Sequence, residues 1–183
     1  MSGEAPKLEE ICRNLYAAHS RELYVFLRRF LGDGDLAEDV LQEVFISFYQ
    51  YYQTRPLPED LARVKGLLYR IGSNLSKNHM QSFHRRKVDY RAELLPGEDA
   101  PVNSLEEDAM AEETLRELQE LLLLLPEKER RLLILRHVQS MRLEEMAEIE
   151  GVSISQVSRQ IKKAERMLAA EGRKIDFDPA RYL

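Results

Sequence analysis

Residues 143–168, LEEMAEIEGVSISQVSRQIKKAERML, hold two short amphipathic patterns separated by one glycine, and this leaves the chain few folds to choose from. Leu143, Met146, Ala147 and Ile149 form an apolar stripe at helical spacing. Gly151 follows where the chain must turn, and glycine accepts the positive φ that such a turn needs. Ser153, with Gln156 three residues on, makes a capping box for the next helix. Ile154, Val157, Ile161, Ala164 and Leu168 then recur at steps of three and four, which predicts a buried face. Ser155, Gln156, Ser158, Arg159, Lys162, Lys163 and Arg166 are left pointing outward, and residues of these types bond base edges and phosphates. The pattern predicts a helix–turn–helix, a unit that places its second helix in the major groove of DNA. An ordinary helical hairpin with a solvated basic face is the plainer alternative.

The net charge of −5 looks wrong for a surface that meets phosphate, but the charge is unevenly spread. Residues 61–91 hold eight basic residues against one acid, and residues 130–174 hold ten against six. Residues 92–129 hold twelve acids against two bases. Local sign governs, because charges more than about 8–10 Å apart are screened in cellular salt. No apolar run approaches the roughly 18 residues of a membrane span, and the polar, acidic start MSGEAPKLEE is no secretory signal. A single cysteine, Cys12, allows no internal disulfide and fits a reducing compartment, so the expected location is the cytoplasm.

Glycine and proline are few and β-branched runs are absent, so the expected class is all-α. Apolar positions from Leu8 to Phe30 suit one or two helices. Gly32-Asp33-Gly34 breaks the pattern, and Asp35 with Glu38 is the expected cap of a helix reaching about Tyr52. Its inward face is Val40, Leu41, Val44, Phe45, Phe48 and Tyr52. A third helix is expected from about Leu61 to Phe83, with Leu67, Leu68, Ile71, Leu75 and His79 at helical spacing. Residues 92–110 contain two prolines, one glycine and six acids without a base, which is a linker composition. The expected organisation is an N-terminal helical domain (residues 1–91), an acidic flexible linker (92–110) and a C-terminal helical domain (111–183) holding the helix–turn–helix. The tail 175–183 carries no pattern that assigns it.

Two further constellations carry polar chemistry. Asp39, Gln42 and Glu43 share one face of the second helix, either as a solvated face or as a docking face for a protein. Asn74, Lys77, Asn78 and Gln81, followed by His84, Arg85, Arg86 and Lys87, combine amides with a basic run, and Tyr69, Phe83 and Tyr90 are interleaved. Such groups hold backbone phosphate and read bases that have left the stack; a solvated helix with a basic end is equally consistent. The acidic linker reads as a solvated strand or as one that occupies a nucleic-acid channel. His19, His79, His84 and His137 show no metal-ligand spacing and no Gly-rich phosphate loop is present, so neither metal, cofactor nor enzyme activity is expected.

In order and spacing these segments resemble the small bacterial sigma factors of the extracytoplasmic-function group, over roughly residues 20–170. ELYVFLRRFLGDGDLAEDVLQEVFISFYQ resembles that family's first conserved block, LLYRIGSNLSKNHMQSFHRRK its promoter-melting block, and the segment from LPEKERRLLILRH through the helix–turn–helix its C-terminal DNA-binding domain. The resemblance implies a transcription initiation factor that binds core RNA polymerase and promoter DNA. Asp39, Gln42 and Glu43 would touch the polymerase clamp. Asn74, Lys77, Asn78 and the loop Gln81, His84, Arg85, Arg86 and Lys87 would open the −10 element and hold a flipped base. The helix from Ser153, with Ser155, Gln156, Ser158, Arg159, Lys162, Lys163 and Arg166, would read the −35 element. The usual further partner is an anti-sigma factor. Joined by a flexible tether, the two domains of the free chain could also pack together and hide DNA-binding surface. Departures from the family pattern are Leu67 in place of a tryptophan, Gly72-Ser73 in place of an alanine-arginine pair, and Arg159 one step before the usual basic position, here Gln160. A two-domain regulator that binds duplex operators without polymerase is the alternative.

Overall fold

The computed structural model describes residues 8–57, 64–87 and 106–179. All regular structure among them is helical: α1 Leu8–Leu31, α2 Gly34–Tyr52, α3 Val64–Lys87, α4 Glu106–Leu124, α5 Glu127–Leu133, α6 Leu143–Glu150 and α7 Ile154–Gly172. A π-helical turn, Ile134–Val138, follows α5, and a 3-10 turn, Arg173–Ile175, follows α7. None of these helices is long and apolar enough to cross a membrane.

The first apolar pattern forms one continuous helix. Its inner face is Ile11, Leu15, Leu23, Phe26, Leu27 and Phe30, and Gly32, at φ 76°, ends it by donating its amide to the Arg28 carbonyl at 2.9 Å. This left-handed turn leaves Asp33 extended, and its carboxylate accepts from the Leu36 amide at 3.0 Å. Asp33 is therefore the cap of α2, two residues before the expected Asp35, because the glycine reverses the chain sooner than an acid–acid spacing reveals. The inward face of α2 is as expected: Val40, Leu41, Val44, Phe45 and Phe48 are buried, and Tyr52 is half-buried.

Helix α3 departs from its apolar pattern. Leu67, Ile71 and Leu75 are only half-buried, while Leu68, Tyr69, Gly72, Ser73 and Ser76 face the core. The buried face is turned by about one residue, roughly 100°, from the stripe that hydrophobicity selects. Small residues explain the turn. A Cβ on Gly72 would lie 3.3 Å from a Leu27 methyl and 3.4 Å from a Val44 methyl, so its absence lets α3 lie close on α1 and α2. Ser73 closes its own polar demand by donating to the Tyr69 carbonyl at 2.8 Å. Tyr69, read as an aromatic of a nucleic-acid face, is 1% exposed and stacks edge-on against Phe26. Burial pushes its phenol well above the ordinary range.

Helix α4 begins at Glu106, inside the stretch read as a linker. Pro126 separates α4 from α5, as its missing amide requires. Leu118, Leu121, Leu122 and Leu125 pack with Leu132, Leu133, Ile134 and Leu135, and the helix–turn–helix of α6 and α7 closes over them.

The N-terminal and C-terminal helices share one core. Arg130, 5% exposed, crosses between them: one amino group donates to the Phe30 carbonyl at 2.7 Å, the other to the Leu123 and Leu125 carbonyls at 3.0 and 3.1 Å. These carbonyls lie at the ends of α1 and α4, where helical partners run out. Burial lowers the guanidinium's pKa, with Glu127 opposing, but arginine stays charged. Gln119 donates to the Arg29 carbonyl at 2.8 Å, and the Tyr69 hydroxyl donates to Gln139 at 2.8 Å. The two helical groups, which a flexible tether leaves able to pack, are therefore packed together among the described residues.

Candidate nucleic-acid interface

The turn between α6 and α7 forms as its residues require. Gly151 takes φ 66°, in the left-handed region, and Val152 donates its amide to the Ala147 carbonyl at 3.1 Å. Ser153 is extended, and its hydroxyl accepts from the Gln156 amide at 3.3 Å. In return the Gln156 side-chain oxygen accepts from the Ser153 amide and hydroxyl, both at 3.0 Å. The capping box is complete, and it satisfies the open amides at the start of α7.

Val157, Ile161, Ala164 and Leu168 are buried as expected, but Ile154 is 44% exposed. It shares the angular position of the stripe yet begins the helix, ahead of the covering residues. Ser153, Ser155, Gln156, Arg159, Lys162, Lys163 and Arg166 are exposed, and Ser158 is half-buried. Gln160 turns inward: its side-chain oxygen is buried, without a hydrogen bond among the described residues, and the outward position belongs to Arg159. Two of the basic groups are already engaged. Lys163 pairs with Glu129 of α5 at 2.8 Å, and Arg166 donates to the Lys162 carbonyl at 3.1 Å. Burial pushes the Glu129 carboxyl up, but hydrogen bonds from Lys163 and the backbone outweigh it and leave the group below its ordinary value.

Asn74, Lys77 and Asn78 are exposed on α3. Gln81, His84, Arg85, Arg86 and Lys87 continue that helix rather than forming a loop. The run has neither glycine nor proline to stop it, and its cations suit a helix C-terminus; its side chains, with Tyr90 and the linker to residue 105, lie outside the described residues. Asn74 opens onto a polar recess of about 190 Å³ that it lines with Arg70, Ser73, Arg131, Ile149 and Glu150. The recess lies between α3 and the helix–turn–helix. Arg131 and Glu150 meet there at 2.7 Å through two parallel bonds.

On α2, Asp39 and Gln42 are exposed beside Ile46, which is 53% exposed, while Glu43 lies 3.1 Å from the His79 ring nitrogen. Glu43 thus ties this polar face of α2 to α3, a pairing that only the folded chain brings together. Among the described residues no cluster of three or more His, Cys, Asp or Glu is arranged to hold a metal ion.

A capped second helix with a basic outer face, alongside a second helical group with its own polar face, is the arrangement of two-domain helix–turn–helix DNA-binding proteins. Residues 15–86 match the family model of Sigma-70 region 2, and residues 115–168 match that of Sigma-70, region 4. Together the matches span more than half of the chain, and the chain belongs to the sigma-70 family of transcription initiation factors. It is similar to the ECF RNA polymerase sigma factor SigW of Bacillus subtilis (strain 168), with 27% identity over 164 residues and 84% of each chain covered. Its fold is similar to that of the sigma factor RpoE from Bartonella quintana, solved in complex with the anti-sigma factor NepR: the TM-score is 0.65 at 20% identity, covering 88% of this chain and 96% of that one. It is likewise similar to CnrH, solved in complex with the cytosolic domain of CnrY, with a TM-score of 0.61 at 22% identity, covering 88% and 87%. Its place in the family is with the extracytoplasmic-function group.

Proposed function

We propose that this protein works in the cytoplasm, binds core RNA polymerase through Asp39, Gln42 and Glu43, opens the −10 element with the Asn74–Lys87 segment of α3 and reads the −35 element with α7. The observation that carries the reading is the co-occurrence of a region 2 match on α1–α3 and a region 4 match on α4–α7, with a capped, basic helix at the second site. The protein needs no catalytic site or cofactor. Melting is driven by capture: unstacking costs a few kcal/mol per base, and a pocket for the flipped base offsets it. The domains are taken at residues 1–91 and 111–183, with the acidic segment 92–110, whose last five residues already belong to α4, leading toward the polymerase cleft. An anti-sigma factor is the expected further partner, since RpoE and CnrH were each solved bound to a protein partner. A regulator acting without polymerase leaves the region 2 match unexplained.

The deciding experiment mixes the purified chain with core polymerase and a promoter library and maps transcript starts. Starts that require this chain, and its co-elution with core, are expected; absence of both overturns the reading. Replacing Asn74 and Lys77 by alanine should reduce open-complex formation while duplex binding through α7 survives. Equal loss of both would refute the assigned division of labour.

A further inference from the structure

We propose that Ile154 reads sequence in the −35 element, by packing its side chain on the C5-methyl group of a thymine in the major groove. This deepens the reading of α7 as the −35 helix and rests on it. Among the described residues Ile154 is the one large apolar side chain of α7 that is exposed. It is the helix's first residue, and helix–turn–helix units present the N-terminal residues of this helix to base edges. It lies one helical turn from Ser158 and beside Ser155, so it borders the polar face that meets DNA.

Its neighbours sharpen the assignment. Gln156 could pair with an adenine through both ends of its carboxamide, but its oxygen is committed to the Ser153 amide and hydroxyl. Using it on a base would dismantle the cap. Besides the single donor that the Gln156 amide nitrogen keeps, the first turn presents Ser155, which bonds any base, and Ile154, which bonds none. The one apolar feature on a major-groove base edge is the thymine methyl. An isoleucine placed there by the capping box discriminates by shape and desolvation, without a hydrogen bond.

The test uses the native chain and Ile154→Ala, each assembled with core polymerase, on a promoter chosen from the library above. Each thymine of its −35 element is replaced in turn by deoxyuridine, which lacks the methyl and keeps the same hydrogen-bonding edge. Removing one buried methyl's worth of contact corresponds to roughly a fourfold change in affinity. The native chain should lose about that factor at one deoxyuridine position. Ile154→Ala should bind the thymine promoter more weakly by a similar factor and be indifferent to the methyl at that position. Ile154→Val should keep part of the discrimination, and since Ile154 is exposed these variants should retain native helix content. Equal discrimination by native and Ile154→Ala chains overturns the proposal, as does a native chain indifferent to every deoxyuridine, or a variant weakened only in binding core. Failure to initiate at any promoter would instead bring down the functional reading and this proposal with it. Arg159→Ala, which should weaken thymine and deoxyuridine promoters alike, separates general loss of α7 binding from loss of methyl recognition.

Discussion

Replacing Arg130 with methionine tests whether one buried guanidinium joins the two halves of the chain. Methionine keeps most of the aliphatic volume and removes the fork. The Phe30, Leu123 and Leu125 carbonyls each lose a donor, at 2.7, 3.0 and 3.1 Å, and the guanidinium also leaves its place 5.6 Å from the Phe30 ring centre. The bonds to Phe30 and Leu125 are buried, whereas the one to Leu123 is partly open to water. A buried acceptor left unmatched costs about 1–3 kcal/mol, so the two buried ones cost about 2–6 kcal/mol together. Relief of the arginine's own desolvation returns part of this. The expected net loss is about 3 kcal/mol. With an m-value of about 2 kcal/mol/M, the urea midpoint followed by helical circular dichroism should fall by about 1.5 M. Arg130→Lys keeps the charge without the fork and should fall between the two. A loss below about 1 kcal/mol for Arg130→Met, or a lysine variant as stable as native, would refute the assignment of stability to the three-carbonyl fork.

Glu129→Gln should release Lys163 from its 2.8 Å pair, tighten −35 duplex binding and steepen its salt dependence by about 0.9 in log–log slope; an unchanged slope would show that Lys163 reaches no phosphate. Lys65→Met should raise the Glu22 pKa, now lowered chiefly by the Lys65 hydrogen bond, and should raise that of His19, lowered first by burial and then by Lys65, both read by NMR titration. Because His19 titrates below its ordinary 6.5, the native fold gains stability as pH rises toward 6.5, and His19→Gln should flatten that rise; a rise of the same size in the variant would exclude His19 as its source. Gly172→Ala should accelerate hydrogen exchange at the Phe177 amide, which donates to the Gly172 carbonyl at 2.9 Å, since a Cβ there would meet the Phe177 carbonyl oxygen at 2.5 Å; exchange at the native rate would mean the tail does not pack as described.

The helix–turn–helix was legible because its signals are local. A left-handed glycine, a cap and an apolar stripe all lie within a few residues, and all point to one geometry. The failures share the opposite property. Arg130 sits in the run KERR, where it is indistinguishable from a surface cation; its burial depends on Phe30, 100 positions away. Helix α3 buries Gly72, Ser73 and Ser76 beside Leu68 and Tyr69, and at Gly72 it is the methyls of Leu27 and Val44, from α1 and α2, that leave little room for a side chain. Ile154 fell on the correct angle of the helix but beyond the end of what covers it, and periodicity carries no information about where a neighbour stops. Lys163 was rightly placed on the outer face, yet its partner Glu129 belongs to another helix.

The packed arrangement constrains how the proposed function proceeds. The −35 and −10 elements are separated by about 25 base pairs, or about 85 Å of duplex at 3.4 Å per pair. A compact chain of 183 residues has a radius of gyration of roughly 16 Å, so α3 and α7 packed on one core cannot engage both elements at once. The 18 residues between α3 and α4 reach at most about 60 Å when extended, which together with the domains' own dimensions is enough to span the gap. Engagement of both elements therefore requires the bonds of Arg130 to Phe30 and of Tyr69 to Gln139 to break, and the recess between Asn74 and Ile149 to open. The free energy of that packing is a cost that core polymerase and promoter must jointly offset, because a ligand shifts an equilibrium only by its differential affinity for the two states. Substitutions that weaken the shared core without touching α3 or α7, Arg130→Lys among them, should therefore lower stability and raise the apparent affinity for core. If stability and core affinity instead fall together, the packed form is the one that polymerase binds.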